Sequence, residues 1–122
     1  MAWELRGDRP IYLQLMENIQ IRILSGEYGP GNRLPSVRDL AGEAAVNPNT
    51  MQKALSELER EGLIYAQRTS GRFITEDKRM IEQLKKSLAQ EKIDLFFETM
   101  KAIGYNKKET MRLIQNSDKE EE

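Results

Sequence analysis

Residues 33–75 read RLPSVRDLAGEAAVNPNTMQKALSELEREGLIYAQRTSGRFIT, and the order of parts in this stretch decides the fold. Leu34 and Pro35 lead into Ser36, a helix-capping residue with Asp39 three positions on, an acidic variant of the capping box. Val37, Leu40, Ala41 and Ala44 then give a short helix a small apolar face. After a tight break, Asn47 caps a second helix. Pro48 takes its first position, where an N–H would have no partner anyway. Met51, Ala54, Leu55 and Leu58 recur at helical spacing, and Gly62 follows Glu59-Arg60-Glu61 as a left-handed C-cap. Leu63-Ile64-Tyr65 and Phe73-Ile74-Thr75 pattern as two short strands joined by a turn that contains Ser70 and Gly71. Helix, break, helix and basic-tipped hairpin is the order of parts in a winged helix-turn-helix.

The polar residues of this unit point to its use. In a helix-turn-helix, the first residues of the second helix reach base edges in the major groove. Here they are Asn47, Asn49, Thr50, Gln52 and Lys53. Asn and Gln can pair bidentately with adenine, Thr can meet a thymine methyl, and Lys can reach guanine or phosphate. No acidic residue falls between Ala44 and Ser56. Asn47 reads equally well as a cap and nothing more. Asn49, Thr50, Gln52 and Lys53 together read as a surface for a polyanion rather than a merely solvated face. Arg38, and Arg68, Ser70, Gly71 and Arg72 of the wing, complete the expected DNA-binding set.

These residues resemble the GntR family of bacterial regulators. The resemblance rests on LPS-x-R-x-LA at 34–41, VNPNT-x-x-x-AL-x-x-LE-x-EG-x-I at 46–64 and R-x-x-G-x-F at 68–73. Upstream, PIYLQL at 10–15 and SGEYGPGNRLPS at 25–36 also fit. The short segment after the wing resembles the YtrA-type subfamily, with two helices following the DNA-binding domain. The resemblance implies DNA contacts from Arg38, from the start of the 48–61 helix and from the wing at 68–72. It also implies a dimer, and often a repressor. Thr69 stands where the wing of the family often has glycine.

Composition narrows the alternatives. The chain has 122 residues, 39% of them hydrophobic, which suits one small domain with an appendage. It has no cysteine and no histidine, which removes disulfides, thiol catalysis, most zinc sites and histidine general bases. No cofactor is expected. Glu57 and Glu61 lie four apart on a helix but sit among Lys and Arg, so they read as a solvated face, and an enzyme is not expected. No secretory pattern and no long apolar run appears, so no membrane partner is expected and the expected location is cytoplasmic. The formal net charge of −1 runs against the usual basic character of DNA-binding domains. Residues 1–76 hold nine Lys plus Arg and ten Asp plus Glu, but Glu57, Glu59 and Glu61 gather at the far end of the second helix.

The flanks complete the plan. Ile11, Leu15, Ile19 and Ile23, widened by Tyr12, Met16 and Leu24, make a core-packing helix from about Pro10 to Leu24. Trp3 docks the N-terminal arm, and 27–33 is a loop. From Asp77, Ile81, Leu84, Leu88, Ile93, Phe96, Phe97, Met100 and Ile103 recur at three- and four-residue steps. One long helix over 77–103 is expected, with the stripe shifting near 90–92. Gly104-Tyr105 ends it, and Asn106 with Glu109 caps a second helix running to about Gln115, with Met111 and Ile114 inward. The last residues, SDKEEE, read as a disordered acidic tail. Burying a Leu or Phe is worth about 1.5–3 kcal/mol, so a stripe of this length calls for cover. A second copy of the chain is the expected cover, and packing back on the winged domain is the alternative. The expected dimer interface is Leu84, Leu88, Ile93, Phe96, Phe97, Met100, Met111 and Ile114.

The fold expected is therefore mostly α with a small β-wing: a winged helix-turn-helix domain over 1–76, then a two-helix dimerisation segment over 77–122. The function expected is a sequence-specific DNA-binding transcriptional regulator, a repressor acting as a homodimer on a palindromic operator in double-stranded DNA. A protein-interaction adaptor on the same fold is the alternative. A small-molecule effector is left open, because no polar constellation marks its site.

Overall fold

A computed structural model of the chain describes residues 2–121, with side chains described to residue 118; Met1 and Glu122 lie outside it. The elements are α1 (Ile11–Leu24), α2 (Val37–Ala44), α3 (Pro48–Arg60), β1 (Ile64–Gln67), β2 (Gly71–Ile74), α4 (Lys78–Ala102) and α5 (Lys107–Glu121). They divide into two compact units, one reaching to Gln83 and the other starting at Leu84.

In the first unit, α1 packs against α3 and α2 packs against α3. The core lies between them: Leu15, Ile19, Leu40, Met51, Leu55, Leu58, Leu63, Ile64 and Ile74 are all fully buried. The helix starts are set locally, as expected. Ser36 Oγ accepts from the Asp39 N–H at 3.1 Å. Asn47 Oδ1 accepts from the Asn49 N–H at 2.7 Å, with Pro48 at the first helical position. The break between α2 and α3 turns on Ala45, whose φ of 56° is the only positive value at a non-glycine among the described residues. Gly62, at φ 84°, takes the left-handed position after α3.

The wing differs from expectation in extent. Its antiparallel strands run Tyr65 opposite Phe73 and Gln67 opposite Gly71, so the pairing continues two residues beyond Tyr65 and Gly71 opens β2. The turn itself is residues 68–70, closed by the Ser70 N–H donating to the Gln67 carbonyl at 3.2 Å. The supposed loop at 27–33 also ends in structure. Arg33 forms an antiparallel bridge with Phe73. The Ile74 N–H donates to the Asn32 carbonyl at 2.9 Å, and the Leu34 N–H donates to the Arg72 carbonyl at 2.8 Å. The backbone before α2 thus covers the outer edge of β2.

The N-terminal arm is tied down by a buried glutamine. Gln14, 4% exposed on α1, accepts from the Arg6 N–H at 2.6 Å. It also donates to the carbonyls of Arg6 and Arg9 at 2.7 and 2.9 Å. Trp3 lies against α1, with the Arg22 guanidinium 3.9 Å from its ring centre.

Asp77 caps α4 by accepting from the Met80 N–H at 3.0 Å, and the helix runs 25 residues without interruption through 90–92. Met80 lies against Gly62, so the first turn of α4 belongs with the winged unit, past the boundary expected at Glu76. In the second unit, Asn106 and Glu109 form a reciprocal capping box, with both bonds at or under 3.0 Å. One expectation is corrected here: α5 does not stop near Gln115 to leave a disordered tail but continues as helix to Glu121. The stretch after Gln115 has no glycine or proline, and its Lys and Glu residues favour helix.

Candidate nucleic-acid interface

The first turns of α3 present Asn49, Gln52 and Lys53 as exposed side chains and Thr50 as half-buried. Met51, between them in sequence, and Ala54, directly after them, are fully buried. The 3.6-residue period therefore separates a core side from a polar side within six positions. Asn47 acts as the cap, so its carboxamide oxygen is engaged by the helix itself. The Gln52 amide donates to Ser56 Oγ at 3.3 Å, which lays it along the helix surface.

The cations fall into two groups. Arg38 and Arg68 are exposed and take part in no ion pair among the described residues. Arg72 is different. Its guanidinium donates to the Glu59 carboxylate, and the two side chains are 21% and 30% exposed. The ion pair ties β2 to the far half of α3. Tyr65 and Phe73 stack across the strands with ring centres 5.8 Å apart, stiffening the same hairpin. Ser70 and Gly71 are exposed at the tip.

Two participants were not marked by the sequence. Arg33 is exposed and sits beside Gly71, where an added Cβ would stand 3.1 Å from Arg33 Nε. Gly71 has φ 108°, so both its conformation and this close approach call for glycine. Arg33 also lines, with Leu34, Pro35, Ser36 and Asp39, a shallow hollow of about 380 Å³ at the start of α2. Tyr12 of α1 is the second: the Lys53 ammonium lies 3.9 Å from its ring centre. Arg33 carried one cue, its position directly before the LPS run. The partnership of Tyr12 with Lys53 carried none, because it joins residues far apart in sequence.

In the second unit the expected interface residues are not buried by the fold. No residue of α4 is buried; Leu84, Leu88, Phe97 and Met100 are half-covered, while Ile93 and Phe96 are 47% and 43% exposed. On α5, Met111 and Ile114 are each 43% exposed.

A helix start that offers amides, a hydroxyl and an ammonium to solvent, with no carboxylate among them, is suited to a polyanion with readable edges. A short helix, a tight break, a second helix and a two-stranded antiparallel wing are the parts of a winged helix-turn-helix protein. Residues 11–74 match the family described as bacterial regulatory proteins, gntR family. The chain is 38% identical over 112 residues to the HTH-type transcriptional regulator YhcF of Bacillus subtilis, covering 92% of this chain and 93% of that one. It is 39% identical over 98 residues to the HTH-type transcriptional repressor YtrA of the same organism, covering 80% and 71%. A solved GntR family transcriptional regulator from Listeria monocytogenes superposes with a TM-score of 0.84 at 38% identity, over 92% of this chain and 98% of that one. The chain belongs to the GntR family: it is a DNA-binding transcriptional regulator and not an enzyme. Among its described residues no helix is long and apolar enough to cross a membrane.

Proposed function

We propose that this regulator is a repressor that acts as a homodimer on a palindromic operator. Asn49, Thr50 and Gln52 read base edges. Arg33, Arg38 and Arg68 hold phosphates, and the exposed Ser70 and Gly71 let the wing backbone come close to DNA. The observation that carries this reading is the α3 start, where Asn49 and Gln52 stand exposed and Thr50 half-exposed, in a unit whose Arg33, Arg38 and Arg68 are exposed and take part in no ion pair among the described residues. Repression is supported by the likeness to the named repressor YtrA. Dimerisation is supported by the uncovered apolar residues of α4 and α5, for which a second copy supplies a matching face. Two copies would set their α3 helices into successive half-sites about 34–36 Å apart, which is why the operator should be palindromic.

Selection of bound sequences from a random DNA pool tests the operator, and sedimentation of the full chain tests the assembly. The expected results are an inverted repeat and a dimer. Asn49→Ala should cost about 1–3 kcal/mol on the selected site and little on random duplex. Phe97→Glu should yield a monomer that binds the repeat about 10²-fold more weakly, because the second half-site is no longer tethered. A monomer at high protein concentration that still binds a palindrome tightly would remove the dimer from the account.

A further inference from the structure

Most cations of the winged unit that have a close partner are neutralised by it: Arg6 by Asp8, Arg9 by Glu17, Arg22 by Glu27, Arg60 by Glu57 and Arg72 by Glu59. Lys53 is held differently. Among the described residues it has no ion-pair partner, and its ammonium rests 3.9 Å from the centre of the Tyr12 ring. Tyr12 lies in the second position of α1, outside the helix-turn-helix pair, and is half-buried while Lys53 is exposed. The packing of α1 against α3 brings the two together.

The physical difference matters for a DNA-binding surface. A carboxylate partner fixes a cation in place but cancels its charge. An aromatic face attracts the ammonium through the ring quadrupole and leaves the full charge, and the N–H groups pointing away from the ring, available to a third group. A free lysine stem samples many rotamers, and immobilising it on binding is costly. Holding it beforehand lowers that cost.

We infer that Tyr12 is a positioning residue for DNA binding, its ring holding the Lys53 ammonium in place for a backbone phosphate. This rests on the DNA-reading role of α3. The assignment to phosphate follows from the tether: the ammonium is drawn onto α1, away from rotamers that would follow a particular base. An exposed contact of this kind is worth a factor of about two to five in an equilibrium constant.

The test is a double-mutant cycle in the full chain, measured by anisotropy titration on the selected palindrome and on a random-sequence duplex across a range of salt. Tyr12→Leu should weaken binding about two- to fivefold on both DNAs. Tyr12→Phe, which keeps the ring, should restore unaltered binding. Lys53→Ala should reduce the slope of log affinity against log salt by about 0.9 for each Lys53 in contact. In the Lys53→Ala background Tyr12→Leu should add nothing, whereas a purely packing role for Tyr12 would persist there. Thermal midpoints confirm that each variant folds, and Lys53→Gln probes the contact while leaving α1 intact. An additive cycle, a Tyr12→Phe defect as large as that of Tyr12→Leu, an unchanged salt slope for both Lys53 variants, or a loss confined to the palindrome overturns the inference. If the unaltered chain binds neither DNA, the DNA-reading role of α3 falls with it; if it binds and the cycle is additive, only the role of Tyr12 falls.

Discussion

Removing the charge of Glu59 should make the winged unit less stable and more strongly attracted to DNA. Glu59 and Arg72 are about three-quarters covered, so their pair lies between the exposed and the buried cases. Hydrogen bonds to charged groups are worth about 1.5–3 kcal/mol, and exposed ion pairs about 0–1 kcal/mol. Glu59→Gln is nearly isosteric and keeps one oxygen to accept from the guanidinium. The expected loss therefore falls near the boundary between the two ranges, about 1 kcal/mol, which lowers Tm by about 4–8 °C for a domain of this size. The same change removes a negative charge and releases Arg72 from its ion pair, so that Arg72 can then neutralise one more phosphate. The slope of log affinity against log salt should steepen by up to about 0.9 per subunit. Over a fourfold rise in salt, that slope is a factor of about three to four in affinity on random duplex. Thermal melts and salt-dependent anisotropy titrations of the unaltered chain, Glu59→Gln and Arg72→Gln measure both effects. If Glu59→Gln changes neither quantity, the strut does not form in solution. If Arg72→Gln lowers the salt slope as much as Arg68→Gln and leaves Tm unchanged, Arg72 is a phosphate ligand and not a strut.

Two further changes test the scaffold. Gln14→Leu leaves the Arg6 N–H and the carbonyls of Arg6 and Arg9 without their buried partner. It should cost about 1–3 kcal/mol and release the arm. Trp3 is the only tryptophan, so its emission should shift to the red; an unaltered spectrum and midpoint would show the arm is not held this way. Ala45→Gly should raise stability by about 0.5–1 kcal/mol, because an L-residue in the left-handed region is strained by about 1–2 kcal/mol and glycine gives back only part of that gain through entropy. A fall in the thermal midpoint of that variant would count against the strain.

What the sequence made legible was local. Ser36, Asn47, and Asn106 with Glu109 were readable as caps because a cap is a hydrogen bond across two or three residues. The core side of α3 was readable because Met51, Ala54, Leu55 and Leu58 repeat at the helical period, and all four are buried. The candidate site was readable as a set of residue types but not as a set of partnerships. Nothing local says that Arg72 is engaged by Glu59, that Lys53 rests on Tyr12, or that Arg33 leaves its loop to pair with Phe73. Each depends on how α1, α3 and the wing pack. Gln14 was hidden for a related reason. A glutamine inside an apolar stripe looks like an interruption until its three backbone partners on the arm are in view.

The same partnerships explain how a chain of formal charge −1 can face a polyanion. Glu57, Glu59 and Glu61 sit in the last turns of α3 and just beyond it, and each has a donor there: Arg60 at 2.9 Å, Arg72, and the Gln20 amide at 3.4 Å. A helix rises about 1.5 Å per residue, so Glu61 lies about 18 Å along the axis from Asn49. At physiological ionic strength the Debye length is about 8 Å, so even an unpaired carboxylate at that distance is heavily screened at the reading end. On the proposed reading, the charge that would matter to DNA is the short-range set of Arg33, Arg38, Lys53 and Arg68, none of which is cancelled by an ion pair among the described residues. Four such cations give a salt slope of no more than about 3.6 per subunit, at about 0.9 for each phosphate neutralised. That is a modest hold on random DNA, so under the proposed function discrimination would fall to Asn49, Thr50 and Gln52, and tight binding to the joint engagement of two half-sites.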